Sequence, residues 1–427
     1  MKRISVMLIA IVCVVVLAAG FACAEYELPP GVKSPDEVDF GGKMVTIIRG
    51  ALPDLVHDPN RVDRAKELFN VEFNEIRLES ADQIIARIMA GDSKYDIIRT
   101  PHREGYFALV SAGMLLPADD YLPDEFFEWL PPADRYTIEK LKYQGQRYGI
   151  GVHEDVFNES IMIMSYNRDL IEKYGLPDPW ELYLAGEWTY DKLEELATVI
   201  TEDTDGDGVI DQRGIDDVAG RDAFIRFAHS NGAETAVQEY GKWVFAYNRE
   251  NAIEAFNTII RWREKGIMGS GSYDAGKVGF KIHTHLAGNR HAQAAGVNFG
   301  FVPMPRGPHA ERHYYPTFAF WMMTLPTNAE APEDLIALAN YLYRPGDRQQ
   351  KLDEQIDLYM TDQQHFRMYM EAIDSWQGEG DPFQSTDIWT VLSTPVSDVL
   401  GGRKGAAAAM DEIAPQVQAL LDDLFKQ

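Results

Sequence analysis

Apolar positions along the chain alternate between two periods, and the alternation lays out the elements. Residues 43–50 are apolar and β-branched and read as a strand. Residues 60–69 take helical spacing, and 71–78 alternate as a second strand. Residues 81–90 form an amphipathic helix in which Ile84, Ile85, Ile88 and Met89 share a face, and 95–99 make a third short strand. Strand–helix–strand–helix–strand order needs crossovers. It therefore predicts an α/β fold built on a mostly parallel sheet with helices on both faces.

The same reading carries on down the chain. Residues 104–112 are helical, 113–117 form a buried turn, and 148–152 and 161–166 read as strands. A helix over 168–174 ends at Gly175. Thr189 caps a helix that follows it, and 252–265 is amphipathic, with Ile253, Phe256, Ile259, Ile260 and Trp262 apolar. A strand over 299–302 runs into Pro303, and 328–343 reads as a loop and helix. From 348 onward the pattern is helical.

The N-terminus is organised differently. Lys2 and Arg3 precede an apolar run over 4–19, shorter than the roughly 20 residues a membrane span needs. This is the layout of an export signal. Two processing routes fit: cleavage after the small-x-small stretch Ala22-Cys23-Ala24, or lipidation of Cys23. Residues 25–40 are Pro-rich and polar and read as a linker. Cys13 and Cys23 are the only cysteines, so the body beyond the leader has no disulfide and no thiol chemistry.

Composition narrows the function classes. The 427 residues suffice for two large lobes, and the 45% hydrophobic fraction fills substantial cores. The formal charge of −27 repels phosphate backbones, so nucleic acid is no partner.

Several stretches stand out, in this order: Tyr95-Asp96-Ile97-Ile98, then Ala112-Gly113-Met114-Leu115-Leu116-Pro117, and Tyr166-Asn167-Arg168-Asp169-Leu170. Gly186-Glu187-Trp188-Thr189, Val302-Pro303-Met304-Pro305 and Leu325-Pro326-Thr327-Asn328 complete the set. Together they resemble the extracellular solute-binding proteins of bacterial carbohydrate ABC importers, of which maltose-binding protein is the best known. The resemblance implies two α/β lobes joined by crossover hinge strands, with a small solute, a sugar above all, held in the cleft between them. It implies a monomer that delivers the solute to a membrane permease. On this reading residues 1–24 are the leader, 41–151 with 303–347 form one lobe, and 152–302 with 348–427 form the other.

Asp203-Thr204-Asp205-Gly206-Asp207-Gly208-Val209-Ile210-Asp211 has the spacing of a calcium loop. Asp203, Asp205 and Asp207 would ligate through side chains, Val209 through its carbonyl, and Asp211 directly or through water. Position 12 is Gly214 rather than glutamate, which leaves Asp216 or Asp217 as a further source of oxygen. Structural Ca²⁺ is the implied cofactor.

Ligand sites of parallel sheets lie beyond the carboxyl ends of the strands. Arg49 follows the first strand. Thr100, His102, Arg103 and Tyr106 follow or flank the third. Asp155 follows the strand over 148–152. In the resembling family the segment before Val302-Pro303 lines the cleft, which adds His285, Asn289 and Arg290. Trp321, Trp376 and Tyr106 are candidates to stack on a sugar ring. Trp180, Trp188, Trp243 and Trp262 read as structural. No catalytic residue is assigned, since the chain has no nucleophile elbow, Walker loop or dinucleotide fingerprint. A glycoside-acting enzyme would also combine carboxylates and aromatics in a cleft. A metal-ion receptor would use His283, His285 and His291.

Overall fold

The structure is a computed structural model that describes residues 27–48, 59–76, 80–91, 95–101, 105–151, 161–217, 221–283, 290–317, 320–343, 360–383 and 386–426. In chain order its strands are β1 (Lys43–Ile48), β2 (Val71–Ile76), β3 (Ile97–Pro101), β4 (Ile163–Asn167), β5 (Arg213–Asp216) and β6 (Ala236–Glu239). They continue with β7 (Lys242–Phe245), β8 (Met268–Gly269), β9 (Val278–His283), β10 (Phe299–Val302) and β11 (Trp321–Thr324). One sheet has the order β11-β3-β1-β2 and the other β10-β4-β9-β5-β8, while β6 and β7 form a separate hairpin. In the first sheet β1, β2 and β3 are parallel and β11 returns antiparallel to β3. In the second, β9, β5 and β8 are parallel, with β4 antiparallel between β9 and β10. The mostly parallel α/β reading holds for both lobes.

Local chemistry explains the element boundaries. Helix Ala81–Met89 starts in a capping box: Gln83 N–H donates to Ser80 Oγ at 3.2 Å, and Ser80 N–H donates to Gln83 Oε1 at 2.9 Å. Ile84 and Ile88 are buried, but Met89, placed on the same face by spacing, is exposed in the helix's last turn. Thr189 caps helix Tyr190–Ile200 by accepting from Lys192 N–H at 3.3 Å. The expected strand over 148–152 is not one in its described part. Ile150 N–H donates to Met323 O and Gly151 makes a single bridge to Met323, so this stretch is a crossing segment rather than a sheet member.

The chain passes between the sheets more than once. Beside the crossing at Gly151, Met162 N–H donates to Pro316 O at 2.8 Å, and Thr317 N–H donates to Glu379 O at 2.9 Å. A strap over 376–383 runs along this junction. Its Phe383 ring stacks on Phe107 at 5.7 Å, and both meet Phe425 at the end of helix Ala406–Phe425. Trp243 of β7 stacks on Phe425 at 5.3 Å, and Tyr143 Oη donates to Leu424 O at 2.8 Å. One aromatic cluster thus takes a ring from each of several segments distant in sequence.

In the second lobe, Trp188 and Trp262 are fully enclosed, and Trp180 and Trp243 are also buried, as structural roles require. Glu194 accepts from Trp262 Nε1 at 2.8 Å and Arg261 Nη2 at 3.0 Å, and pairs with Lys265. Partial burial alone would raise the Glu194 carboxyl. Hydrogen bonds from Lys265, Trp262 and Arg261 outweigh it and hold the pKa down at about 2. A depressed carboxylate contributes stability above its unfolded value near 4.5, and that contribution is lost as pH falls toward 2. Glu194→Gln should therefore lower the melting temperature at pH 7 by more than at acid pH, with the difference disappearing as the pH falls through about 2. Equal losses at neutral and acid pH would contradict the assignment.

Candidate functional site

The parallel strands β1, β2, β3, β5 and β9 deliver their carboxyl ends at Ile48, Ile76, Pro101, Asp216 and His283. Arg49, His102, Arg103, Asp155, His285 and Asn289 lie outside the described residues. Thr100, Arg290 and Trp321 are placed by backbone alone. Thr100 lies in β3 across from Met322, and Trp321 pairs with Pro101, at the carboxyl end of β3. Arg290 opens the short helix Arg290–Ala294. The carboxyl end of a parallel strand such as β3 is the edge beyond which α/β sheets bind ligands.

Tyr106 and Trp376 sit in packed interiors in this conformation. The Tyr106 ring is 0% exposed, and its hydroxyl donates to Leu141 O at 2.5 Å. Burial pushes that hydroxyl well above the usual tyrosine range. Trp376, at the start of the strap, is 2% exposed. Its Nε1 donates to Glu379 O at 3.3 Å, and its ring lies edge-on to Tyr136 and near Phe320. Neither ring has a free face for a solute in this arrangement.

Sequence reading did not single out the ionic groups of the same junction. Arg312 pairs with Glu379 of the strap, and Lys140 Nζ meets Glu234 Oε1 at 2.7 Å. Asp381 is 5% exposed, accepts from Phe383 N–H at 2.8 Å and is bonded by the Thr235 hydroxyl. The side-chain partners Arg312 and Glu379, Lys140 and Glu234, and Thr235 and Asp381 lie between 67 and 146 residues apart, so no local spacing points to them.

The acidic loop joins helix Tyr190–Ile200 to β5. Carboxylate oxygens of Asp203, Asp205 and Asp207 lie within 4.8 Å of one another. Asp203 accepts from Gly208 N–H at 2.7 Å and Gly206 N–H at 2.8 Å. The Gly208 bond is the main cause of its lowered pKa. Val209 N–H donates to Asp207 Oδ1 at 2.7 Å. The loop is folded around its own carboxylates, the donor set a hard cation takes. Asp211 is turned away to Thr204, whose Oγ1 donates to it at 2.8 Å, and to Lys277 at 3.4 Å. Asp216 and Asp217 lie at the far end of β5, and Asp217 pairs with Arg263, so they do not complete the set. The missing glutamate at position 12 has a steric reason. A Cβ on Gly214 would lie 2.3 Å from Ala197 O.

A model of the bacterial extracellular solute-binding protein family matches residues 69–349. The chain belongs to that family. The solute-binding protein also superposes on solved structures over most of its length. A sugar transporter protein from Rhizobium etli, in an open conformation, has a TM-score of 0.67 at 14% identity, covering 88% of this chain and 99% of that one. A cyclo/maltodextrin-binding protein complexed with maltotetraose has a TM-score of 0.62 at 16% identity, covering 94% and 100%. An ABC substrate-binding protein from Listeria monocytogenes, in complex with cycloalternan, has a TM-score of 0.61 at 14% identity, covering 88% and 98%. At these identities the likeness establishes the two-lobed fold shared with the maltodextrin-binding proteins. It places the solute-binding protein in the architecture its sequence resembles.

Proposed function

We propose that this solute-binding protein captures a carbohydrate between its two lobes and delivers it to the permease of an ABC importer. The observation that carries the reading is the fold itself, which is that of proteins solved with maltotetraose and cycloalternan bound. The binding reading favours no chemistry on the solute, and catalysis plays no part in it. The lobes divide at residues 151/152, 302/303 and 347/348, and the receptor acts as an exported monomer whose leader is removed or whose Cys23 carries the lipid. Trp321, whose backbone pairs with Pro101 at the carboxyl end of β3, would stack on a sugar, with His102, Arg103, Asp155 and Asn289 taking hydroxyls. Ca²⁺ at Asp203, Asp205 and Asp207 staples the loop before β5 and stays out of solute chemistry.

The test is a melting screen of the purified protein against mono- and oligosaccharides, with amino acids, peptides and polyols as comparison. A ligand at a hundred times its dissociation constant stabilises the native state by about 2.7 kcal/mol. One saccharide class should raise the melting temperature by several degrees. A shift confined to amino acids or peptides would overturn the carbohydrate assignment while leaving the receptor fold intact.

A further inference from the structure

A polar pocket lies on the second lobe, at the end of its sheet remote from the cleft. β4 runs antiparallel to β9 and β10, so Ile163 faces His283 at one end of the sheet and Asn167 faces Phe299 at the other. A solute in the cleft belongs beyond the His283 end, where the parallel strands finish. The pocket opens at the opposite end, around Tyr166 and Arg168. Helix Pro179–Leu184 and the start of helix Gln363–Ser375 form its walls. Its volume is about 440 Å³, inside the range of about 300–1,000 Å³ for small-molecule sites.

The floor of the pocket is held by bonds within the protein. A Cβ on Gly300 would lie 2.3 Å from Tyr166 Cζ, so the glycine leaves room for the phenol against β10. The Tyr166 hydroxyl donates to Asp178 Oδ1 at 2.9 Å, and Asp178 also accepts from Trp180 N–H at 2.7 Å. Arg168 donates to Asp362 Oδ2 at 2.5 Å and to Gln364 Oε1 at 3.1 Å. Gln364 is fixed in turn on the backbone of Phe301, whose N–H donates to Oε1 at 2.9 Å and whose carbonyl accepts from Nε2 at 2.5 Å. The rim differs. Glu181 on one wall, and Gln363 and Arg367 one turn apart on the other, have side chains with no partner among the described residues. A fixed floor loses little freedom when a ligand arrives, and the rim offers bonds it has not yet made.

We propose that this pocket is a second saccharide site, separate from the cleft. Its lining brings together two guanidinium groups, two carboxylates and two carboxamides. Each is planar and presents paired donors or acceptors, which match neighbouring hydroxyls on a sugar ring. The charges of the lining cancel, Arg168 and Arg367 against Asp178 and Glu181. That balance suits a neutral polyhydroxylated ligand over a phosphate or a metal ion, each of which needs an excess of the opposite sign. At the rim, Arg367 donates to a hydroxyl oxygen and Glu181 accepts a hydroxyl proton, so both find a partner on one sugar. Trp180 is 7% exposed, too enclosed to be a stacking platform, and binding rests on hydrogen bonds. The site is therefore weak, with dissociation constants in the millimolar range. The carbohydrate reading of the cleft suggests the ligand class, and the pocket's own lining supplies the site.

Trp180 reports on the pocket directly. The full chain is produced with 5-fluorotryptophan, and the fluorine resonance of Trp180, one of 8 tryptophans, is identified by its loss in Trp180→Phe or Trp180→Tyr. Glucose, maltose and sucrose are each titrated to high millimolar concentration. The Trp180 resonance should shift saturably with at least one of them. Glu181→Ala and Arg367→Ala, both at exposed positions that folding tolerates, should each weaken that titration about tenfold, the worth of a hydrogen bond to a charged group. The remaining tryptophan resonances should respond in these variants as they do in the wild type. Movement of those resonances with Trp180 unmoved would overturn the outer site and leave the cleft reading standing. Silence at Trp180 with all three sugars overturns it whatever the cleft does. A Trp180 shift that survives unchanged in both variants, or one produced by alanine or phosphate and by no sugar, would overturn it as well.

Discussion

Replacing Trp376 by alanine will destabilise the protein by about 3–5 kcal/mol, the range for removing a large enclosed ring. The ring fills the space between Tyr136 and Phe320 and is 2% exposed, so its removal leaves a cavity and loses the bond from Nε1 to Glu379 O. Relaxation cannot easily close the gap. The strap that carries Trp376 is tied at Thr317, where Glu379 O accepts the Thr317 N–H, and at Gly380, where a Cβ would lie 2.7 Å from the Phe320 ring. A fall in melting temperature on the order of ten degrees follows for a chain with lobes of this size. Thermal unfolding without solute measures it. An unchanged melting temperature with lost saccharide affinity would mean that the ring serves the ligand rather than the core. Trp376→Phe should recover part of the loss.

Chelation will lower the melting temperature, and millimolar Ca²⁺ will restore it. Asp203, Asp205 and Asp207 hold three carboxylates within 4.8 Å, and backbone N–H groups of the same loop offset part of their repulsion. A cation that binds this loop and not the unfolded chain adds about 2.7 kcal/mol at a hundred times its dissociation constant. Mg²⁺ should restore less than Ca²⁺, because its compact octahedral shell fits an open loop poorly. Asp205→Ala should remove the difference between EDTA and Ca²⁺. Identical melting curves in the two conditions would reduce the loop to an acidic turn.

The elements that could be read from the sequence were those whose signal is local. The Ile84 and Ile88 stripe, the Thr189 cap and the strand over 299–302 were legible because a few neighbouring residues specify each. β5 and β8 were not. Each is four residues or fewer, and each exists because a partner from elsewhere in the chain pairs with it. The stretch over 148–152 reads as a strand because Ile150 and Val152 alternate with Gly149 and Gly151, yet its described part makes one isolated bridge, Gly151 to Met323, rather than a ladder. Helices Asp387–Leu400 and Ala406–Phe425 fit the helical pattern read from 348 onward and continue through Pro395 and Pro415, each burying an apolar face. The acidic loop was legible as a pattern. That Asp211 turns to Thr204 and Lys277 was not, because those partners come from the fold. The inter-lobe ion pair and Asp381 were invisible for the same reason.

The return of β11 to β3 bears on how the chain is made. Thr324 Oγ1 donates to Ile98 O across 226 residues, so the first sheet cannot be completed until the ribosome has passed residue 324. Among the described residues the second sheet has no strand after Val302. Contacts of such separation form slowly, because loop closure has to precede them. The first lobe therefore stays open through most of synthesis, its early strands lacking their last partner. For a member of an extracellular family, a nascent chain slow to fold is one that a translocation channel can still thread.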